Sequence, residues 1–326
     1  MAEYKGIKGF KVQYLSADPS NPIIGQTWYN STSKDLKYTS ATATGTWATG
    51  NNMNTARRSP AGAGTQTSAL AFGGYDGTSP TGATEEYDGT NWATSPGSLN
   101  TARYYLAGTG TQTAALAFGG YPPTTGATEE YNGATWVTTN PLNTGRYALG
   151  GAGTQTAGLA FAGEIGPPQV NATEEYDGNS WTTVNGMNQQ RVYLIGCGIQ
   201  TAALAFGGFA TATTGATEEY NGTSWATSAG SLNTARQELA GAGTQTAGLA
   251  FGGNIGPPAY TISAATEEYD GTSWTNTTSL STARTQIAGT GTQTAGLAFG
   301  GYTTADKAAT EEWTGAGPLT KTVTVS

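Results

Sequence analysis

The nonapeptide Gly-Thr-Gln-Thr-x-x-Leu-Ala-Phe is written into this chain six times, with one lapse at Gly198-Ile199-Gln200-Thr201. The copies end at Phe72, Phe118, Phe161, Phe206, Phe251 and Phe299, and fifteen residues before each stands an arginine: Arg57, Arg103, Arg146, Arg191, Arg236 and Arg284. Downstream of each Phe comes Ala-Thr-Glu-Glu and an aromatic residue, at Tyr87, Tyr131, Tyr176, Tyr220, Tyr269 and Trp313. In the first five repeats a tryptophan follows five residues later, at Trp92, Trp136, Trp181, Trp225 and Trp274. The Thr of Thr-Glu-Glu recurs every 44 to 49 residues. A period in the forties specifies a repeat architecture in which each unit buries its apolar face only against its neighbours.

Glycine fills 49 of 326 positions, a content that in an aperiodic chain would point to disorder. The fixed spacing of Leu, Phe, Tyr and Trp points instead to a packed solid. The formal charge is −8, although the first 46 residues carry five Lys against Glu3, Asp18 and Asp35. An acidic repeat with no basic stripe argues against a nucleic-acid partner. The single cysteine, Cys197, excludes a disulfide framework and stands where the other repeats have Ala or Thr, so it reads as a small buried hydrophobe. No run of 18 apolar residues and no signal-peptide core occurs, so neither membrane insertion nor the general secretory route is expected.

Each repeat parses into four short strands. The first follows the arginine, as in Tyr104-Tyr105-Leu106-Ala107-Gly108; the second runs from Thr113 to Phe118 and closes on Gly119-Gly120. The third is Ala-Thr-Glu-Glu-Tyr, followed by Asp-Gly or Asn-Gly, whose tolerance of φ > 0 makes it the strongest short hairpin signal. The fourth begins at the tryptophan. No apolar period of 3.6 residues is sustained, so helices are not expected. Four antiparallel strands repeated six times, with Gly and Ala on the first strand to fit a crowded axis, predict an all-β, six-bladed β-propeller. Trp47 stands ten residues before Arg57, as Trp136, Trp181 and Trp274 stand before theirs, and the last repeat lacks the tryptophan that opens the fourth strand. Trp47 is therefore expected to supply the outer strand of the sixth blade and remove a free edge. The alternating tail Leu319–Ser326 competes for that slot. The expected division is an N-terminal attachment segment, residues 1–44, a propeller over 45–318 and a C-terminal strand over 319–326. The repeated Arg and Trp residues are expected to be structural.

A Gly-Gly doublet after an apolar strand, followed by a Tyr and a Trp a few residues apart, resembles the kelch repeat of galactose-oxidase-type propellers over residues 47–318. The resemblance implies the fold and leaves the activity open, because such propellers serve as enzymes, adhesins and scaffolds. Residues 25–37, Gly-Gln-Thr-Trp-Tyr-Asn-Ser-Thr…Leu-Lys, resemble short segments near the start of bacteriophage tail-fibre and other virion proteins, where they precede kelch-like repeats. That resemblance implies a virion location, on the tail or fibre, and attachment to other virion proteins through the N-terminal segment. Read without it, the segment predicts a hairpin of Gln26–Asn30 with Leu36–Ser40.

The chain contains no histidine, which removes the commonest general base and metal ligand together. A copper site of the galactose-oxidase kind needs imidazoles and does not carry over. Six Glu-Glu pairs supply 12 of the 22 acidic residues. Neighbours on a strand face opposite sides, so each pair is split, and one Glu per repeat is expected to meet the one Arg per repeat as a structural contact. No catalytic residue, metal site or cofactor is expected, and the chain is read as non-enzymatic.

Length varies only between the second and third strands, and between the fourth strand and the next repeat. In an up-and-down blade these two connections share a face, so one face of the disc is individual and the other uniform. The individual face carries Tyr75, Tyr121, Phe209, Tyr260 and Tyr302, expected as ligand-stacking groups on Pro-stiffened loops. The expected function is a virion-associated binding module that recognises a host-surface glycan through this face. The alternative is a structural or decoration protein making only protein–protein contacts.

Overall fold

In the computed structural model, residues 12–20, 23, 25–41, 44–316 and 318–323 are described. All regular elements among them are β-strands. The chain divides into two compact units, Thr46–Trp313 and a second unit made of both termini.

The larger unit is a multi-bladed β-propeller built from six four-stranded antiparallel sheets. The second repeat is typical: Ala107–Thr111, Ala114–Phe118, Thr128–Tyr131 and Trp136–Thr139 pair in chain order, with Leu116 opposite Thr109 on one side and Glu130 on the other. The innermost strand of each sheet lies beside those of its two neighbours, and Ala288–Gly291 lies beside Ala61–Thr65, so the six close into a ring. The sheet of the last repeat takes Thr46–Gly50 as its outer strand, next to Thr310–Thr314. The Trp47 side chain shows why. Its indole N–H donates to Thr266 Oγ1 at 3.0 Å and its ring lies 5.0 Å from Phe251 in the preceding blade. Every other fourth-strand tryptophan makes the same two contacts with the blade before it, as Trp181 does with Thr128 (3.0 Å) and Phe118 (5.0 Å). The tryptophan that precedes each arginine by ten or eleven residues is therefore a joint between blades.

Other residues of the repeat staple the same joints. Each glutamine of Gly-Thr-Gln-Thr donates to two carbonyls of the preceding blade, for example Gln155 to Ala115 (3.1 Å) and Tyr131 (2.6 Å). The Glu-Glu pairs are split as the strand period demands. The first Glu is buried against the arginine of its own blade, as Glu218 with Arg191 (2.9 Å) and Glu267 with Arg236 (2.9 Å). In five of the pairs the second accepts a phenol from the next blade, as Glu130 does from Tyr176 at 2.7 Å, and Glu268 does not, because the sixth repeat carries Trp313 in place of the tyrosine. At the axis the first strand must carry glycine: a Cβ on Gly196 would lie 2.3 Å from the Phe161 ring of the neighbouring blade and 2.9 Å from the Gly151 carbonyl.

The first strand starts later than its sequence suggests. In the second repeat it begins at Ala107, because Tyr105 sits in the left-handed region at φ 53, which no strand accommodates. The equivalent Ser59, Ala148, Tyr193, Glu238 and Gln286 have φ values of 50, 51, 57, 53 and 52. Each of these six residues donates its N–H to the carbonyl of its counterpart in the neighbouring blade, from Tyr105 to Ser59 (3.3 Å) round to Ser59 on Gln286 (2.8 Å). Six left-handed non-glycine residues cost about 1 kcal/mol or more apiece, and the closed ring of hydrogen bonds offsets part of that cost.

The smaller unit is a mixed sheet of Gln13–Leu15, Thr27–Asn30, Asp35–Ala41 and Pro318–Thr322, in that order. The C-terminal tail is thus the fourth strand of this sheet and neither stands alone nor edges the sixth blade. It runs antiparallel to Asp35–Ala41, with Leu319 opposite Ser40. Residues 324–326 of the tail, and Lys5, Lys8 and Lys11 of the basic cluster, lie outside the described residues. Thr27–Asn30 and Asp35–Ala41 form an antiparallel hairpin, and its motif residues converge on Asp18: Trp28 Nε1 at 3.1 Å, Asn30 Nδ2 at 2.7 Å and Lys37 Nζ at 2.8 Å. These partners, the Lys37 hydrogen bond first, pull the Asp18 pKa down to about 2.

Candidate functional site

Two connections of each blade meet on the face where repeats differ in length. The residue after each arginine bridges the residue three beyond each Phe: Arg58 with Tyr75, Tyr104 with Tyr121, Tyr147 with Glu164, Val192 with Phe209, Gln237 with Asn254 and Thr285 with Tyr302. Inside these lie the six left-handed residues already described. The face therefore consists of three concentric rings whose backbone is repeated and whose side chains are individual.

Of the expected stacking groups, the structure gathers Tyr75, Tyr121 and Tyr302. The Arg58 guanidinium lies 4.5 Å from the Tyr75 ring and 5.1 Å from the Tyr302 ring, and Asp306 holds it at 3.1 Å. Tyr75 meets Tyr104 edge-on at 5.5 Å, and Tyr104 meets Tyr121 edge-on at 5.7 Å. From Tyr121 the run continues to Tyr147 at 5.4 Å, to Tyr105 at 6.4 Å from Tyr147, and to Tyr193 at 5.2 Å from Tyr105. Phe209 and Tyr260 stand outside this run. Phe209 is half-buried and bridges Val192 and Thr213, while Tyr260 is 61% exposed in the longest loop.

Sequence reading missed Arg58, Tyr104, Tyr105, Tyr147, Tyr193, Glu238 and Gln286. A signal for them was present: the two positions after each arginine read Arg-Ser, Tyr-Tyr, Tyr-Ala, Val-Tyr, Gln-Glu and Thr-Gln, inside a stretch whose length never changes. Variation at constant length marks side chains released from the fold's own contacts.

At the axis Glu238 accepts four hydrogen bonds, all from neutral donors. Tyr105 Oη (3.1 Å) and Gln286 Nε2 (3.0 Å) reach Oε1, while Asn254 Nδ2 (2.8 Å) and Thr285 Oγ1 (2.9 Å) reach Oε2. Burial, reinforced by the Glu238 charge, pushes the Tyr105 and Tyr193 phenols well above the ordinary range. Tyr147 is pushed up to about 12, by burial first and then by its hydrogen bond to Glu164. These phenols are neutral donors at ordinary pH. A pocket of about 80 Å³ is lined by Tyr105, Tyr193, Glu238 and Gln286, with Leu and Ile side chains among its other walls. It is well below the roughly 300 Å³ at which small-molecule clefts begin.

The opposite end of the axis offers no such chemistry. Its pocket is lined by glycine, alanine and threonine of the first strands and by Cys197, which is buried and whose thiol burial pushes up to about 12. A raised thiol pKa marks packing and not nucleophilicity. The turns on that side resemble one another, with Asp88, Asn132, Asp177, Asn221 and Asp270 each capping its own turn through two backbone N–H groups.

No protein-family model matches this sequence, and no curated protein matches it either.

Proposed function

We propose that this chain is a non-enzymatic recognition module of the kelch-like kind, carried on a bacteriophage virion as a tail-fibre or receptor-binding component, with a host-surface glycan as its ligand. The observation that carries the reading is the run of six tyrosines joined to Arg58 on the face where the repeats differ. Aromatic faces suit sugar rings because they bury C–H surface at little cost in side-chain entropy. A shallow, wide aromatic surface with only a small pocket suits a polymer laid across it better than a molecule engulfed. The likeness of residues 25–37 to virion segments supports the location.

The test is a glycan array probed with the wild-type protein and with Tyr121→Ala/Tyr260→Ala. Tyr121 is 39% exposed and Tyr260 61%, so their loss leaves the melting temperature nearly unchanged. Removing aromatic anchors from a binding surface costs on the order of 2 kcal/mol or more, about a thirtyfold loss of affinity. Unchanged glycan binding in this variant, or absence of the protein from purified virions by mass spectrometry, would defeat the reading. The five similar Asx-capped turns on the uniform face favour a second reading, a decoration protein docked on a symmetric protein partner. Binding to assembled particles with no glycan signal would select it.

A further inference from the structure

Glu238 is held by side chains that the fold does not need. The axial ring is closed by backbone alone, and Ala148 takes its place in that ring with a methyl group. Around Glu238, by contrast, stands a buried polar network found, among the described residues, in one sector only. Asn254 (4% exposed) and Thr285 (6%) hold its Oε2, and Gln237 (7%) holds the Asn254 Oδ1 at 3.0 Å. At the place of Asn254 the other blades carry Tyr75, Tyr121, Glu164, Phe209 and Tyr302. Burying three uncharged polar side chains is costly unless each is hydrogen-bonded, and here they are bonded so as to fix one carboxylate at the axis.

Among the described residues no cation neutralises the charge of that carboxylate. None of the ion pairs among the described residues includes Glu238. Tyr105 and Tyr193 line the same pocket, their rings edge-on at 5.2 Å, with Tyr147 beyond Tyr105. A carboxylate beside aromatic rings, in a space of about 80 Å³, matches a compact cation on a slender stem. An ammonium group is small and gains from both the charge and the ring quadrupoles, whereas a guanidinium is broad and planar.

We propose that the axial pocket binds a protonated primary amine, with Glu238 as its counter-ion and Tyr105 and Tyr193 as its aromatic wall. The amine takes over the Oε1 position now held by the Gln286 amide, displacing its hydrogen bonds to Glu238 (3.0 Å) and to the Tyr105 hydroxyl (2.5 Å). This rests on the reading that the individual face binds a ligand, and it names the chemical group that the face selects. An amino sugar and a lysine side chain both carry that group.

The experiment titrates the full chain with glucosamine, N-acetylglucosamine and Nα-acetyl-lysine methylamide, following the aromatic NMR signals of Tyr105 and Tyr193. Glucosamine or the lysine probe shifts those signals, and the tighter of the two identifies the source. N-acetylglucosamine, identical in ring but uncharged, does not. Glu238→Gln weakens the amine probes by about tenfold or more, and Tyr193→Leu, which leaves the carboxylate network intact, weakens them by a smaller factor. Equal binding of glucosamine and its acetylated form, no shift with either amine, or unchanged amine affinity in folded Glu238→Gln and Tyr193→Leu proteins would overturn the proposal. Neutral glycans that bind the wild type and Glu238→Gln alike, yet fail on Tyr121→Ala/Tyr260→Ala, would leave the glycan-binding face standing and remove the amine site alone.

Discussion

Replacing Arg191 with methionine isolates what one of the six buried ion pairs contributes. The guanidinium is fully buried and donates to Glu218 Oε1 at 2.9 Å and to the carbonyls of Gly207 at 2.9 Å and Ala216 at 2.7 Å. Burial pulls the Arg191 pKa below its ordinary value and the Glu218 charge opposes that shift, so the pair as a whole sits near break-even. Removing one partner is a different matter. Arg191→Met leaves the Glu218 carboxylate, 1% exposed, with no cation beside it. An uncompensated buried charge costs about 3–5 kcal/mol. In a ring of this size that lowers Tm by on the order of 10 °C. The double variant Arg191→Met/Glu218→Gln removes the stranded charge and keeps an acceptor for the Asn188 N–H, which lies 2.7 Å from Glu218. The Ala216 carbonyl retains the Gly207 N–H at 3.2 Å, so the Gly207 carbonyl is the acceptor left short of a partner. The double variant should therefore recover about 2 kcal/mol relative to Arg191→Met. Urea denaturation followed by tryptophan fluorescence on both single variants and the double completes the cycle. A single-variant cost under about 1 kcal/mol, or a double variant as unstable as the two singles summed, would show that the pairs are not coupled as argued.

Three further outcomes are expected. Gly196→Ala should lower stability by about 1–3 kcal/mol through overpacking against Phe161, and adding Phe161→Leu should cost less than the sum because the shorter side chain clears the space; urea midpoints decide both. Trp181→Phe keeps an aromatic ring near Phe118 but leaves the buried Thr128 hydroxyl without its indole donor, so a loss of about 1–3 kcal/mol is expected, and a melting temperature equal to the wild type would refute the joint role. The Asp18 carboxyl titrates well below its ordinary value, so its contribution to the terminal sheet is present above about pH 4 and is lost as pH falls towards 2. Trp28 fluorescence should report that loss, and Asp18→Asn should remove the pH dependence; an unchanged acid profile in the variant would refute the assignment.

The readily legible parts of this molecule are those whose causes recur or lie close in sequence. The Asp-Gly and Asn-Gly turns, the split Glu pairs and the placing of Trp47 before Arg57 all act through contacts copied in five or six of the repeats, so the copies reinforce one reading. The individual face was legible for a related reason, since insertions collect where no joint between blades restrains them. The axial residues were not legible. The left-handed φ of Tyr105 has no local signature; it is imposed by a hydrogen bond from Tyr105 to Ser59, in a blade written 46 positions earlier. The pairing of the tail was hidden in the same way. Its alternation marks a strand, but which edge it joins is decided by Asp35–Ala41, almost the full chain away.

The propeller separates what holds it together from what it presents. Joints between blades use the repeated Gln, Trp, Thr, Phe, Glu and Tyr side chains, and the ring at the axis uses peptide groups alone. The two positions after each arginine and the position three beyond each Phe take no part in those joints, and residues as unlike as Ala148, Tyr105 and Glu238 occupy the same backbone geometry. Such a scaffold accepts new side chains at these positions with little change in stability. The sector around Glu238 is the departure from that rule, because Asn254, Gln237 and Thr285 are buried and bonded around a carboxylate whose place a methyl group fills at Ala148. A polar network whose removal would leave the ring closed has its use at the surface it shapes, and the surface it shapes is a fixed negative charge in an aromatic mouth.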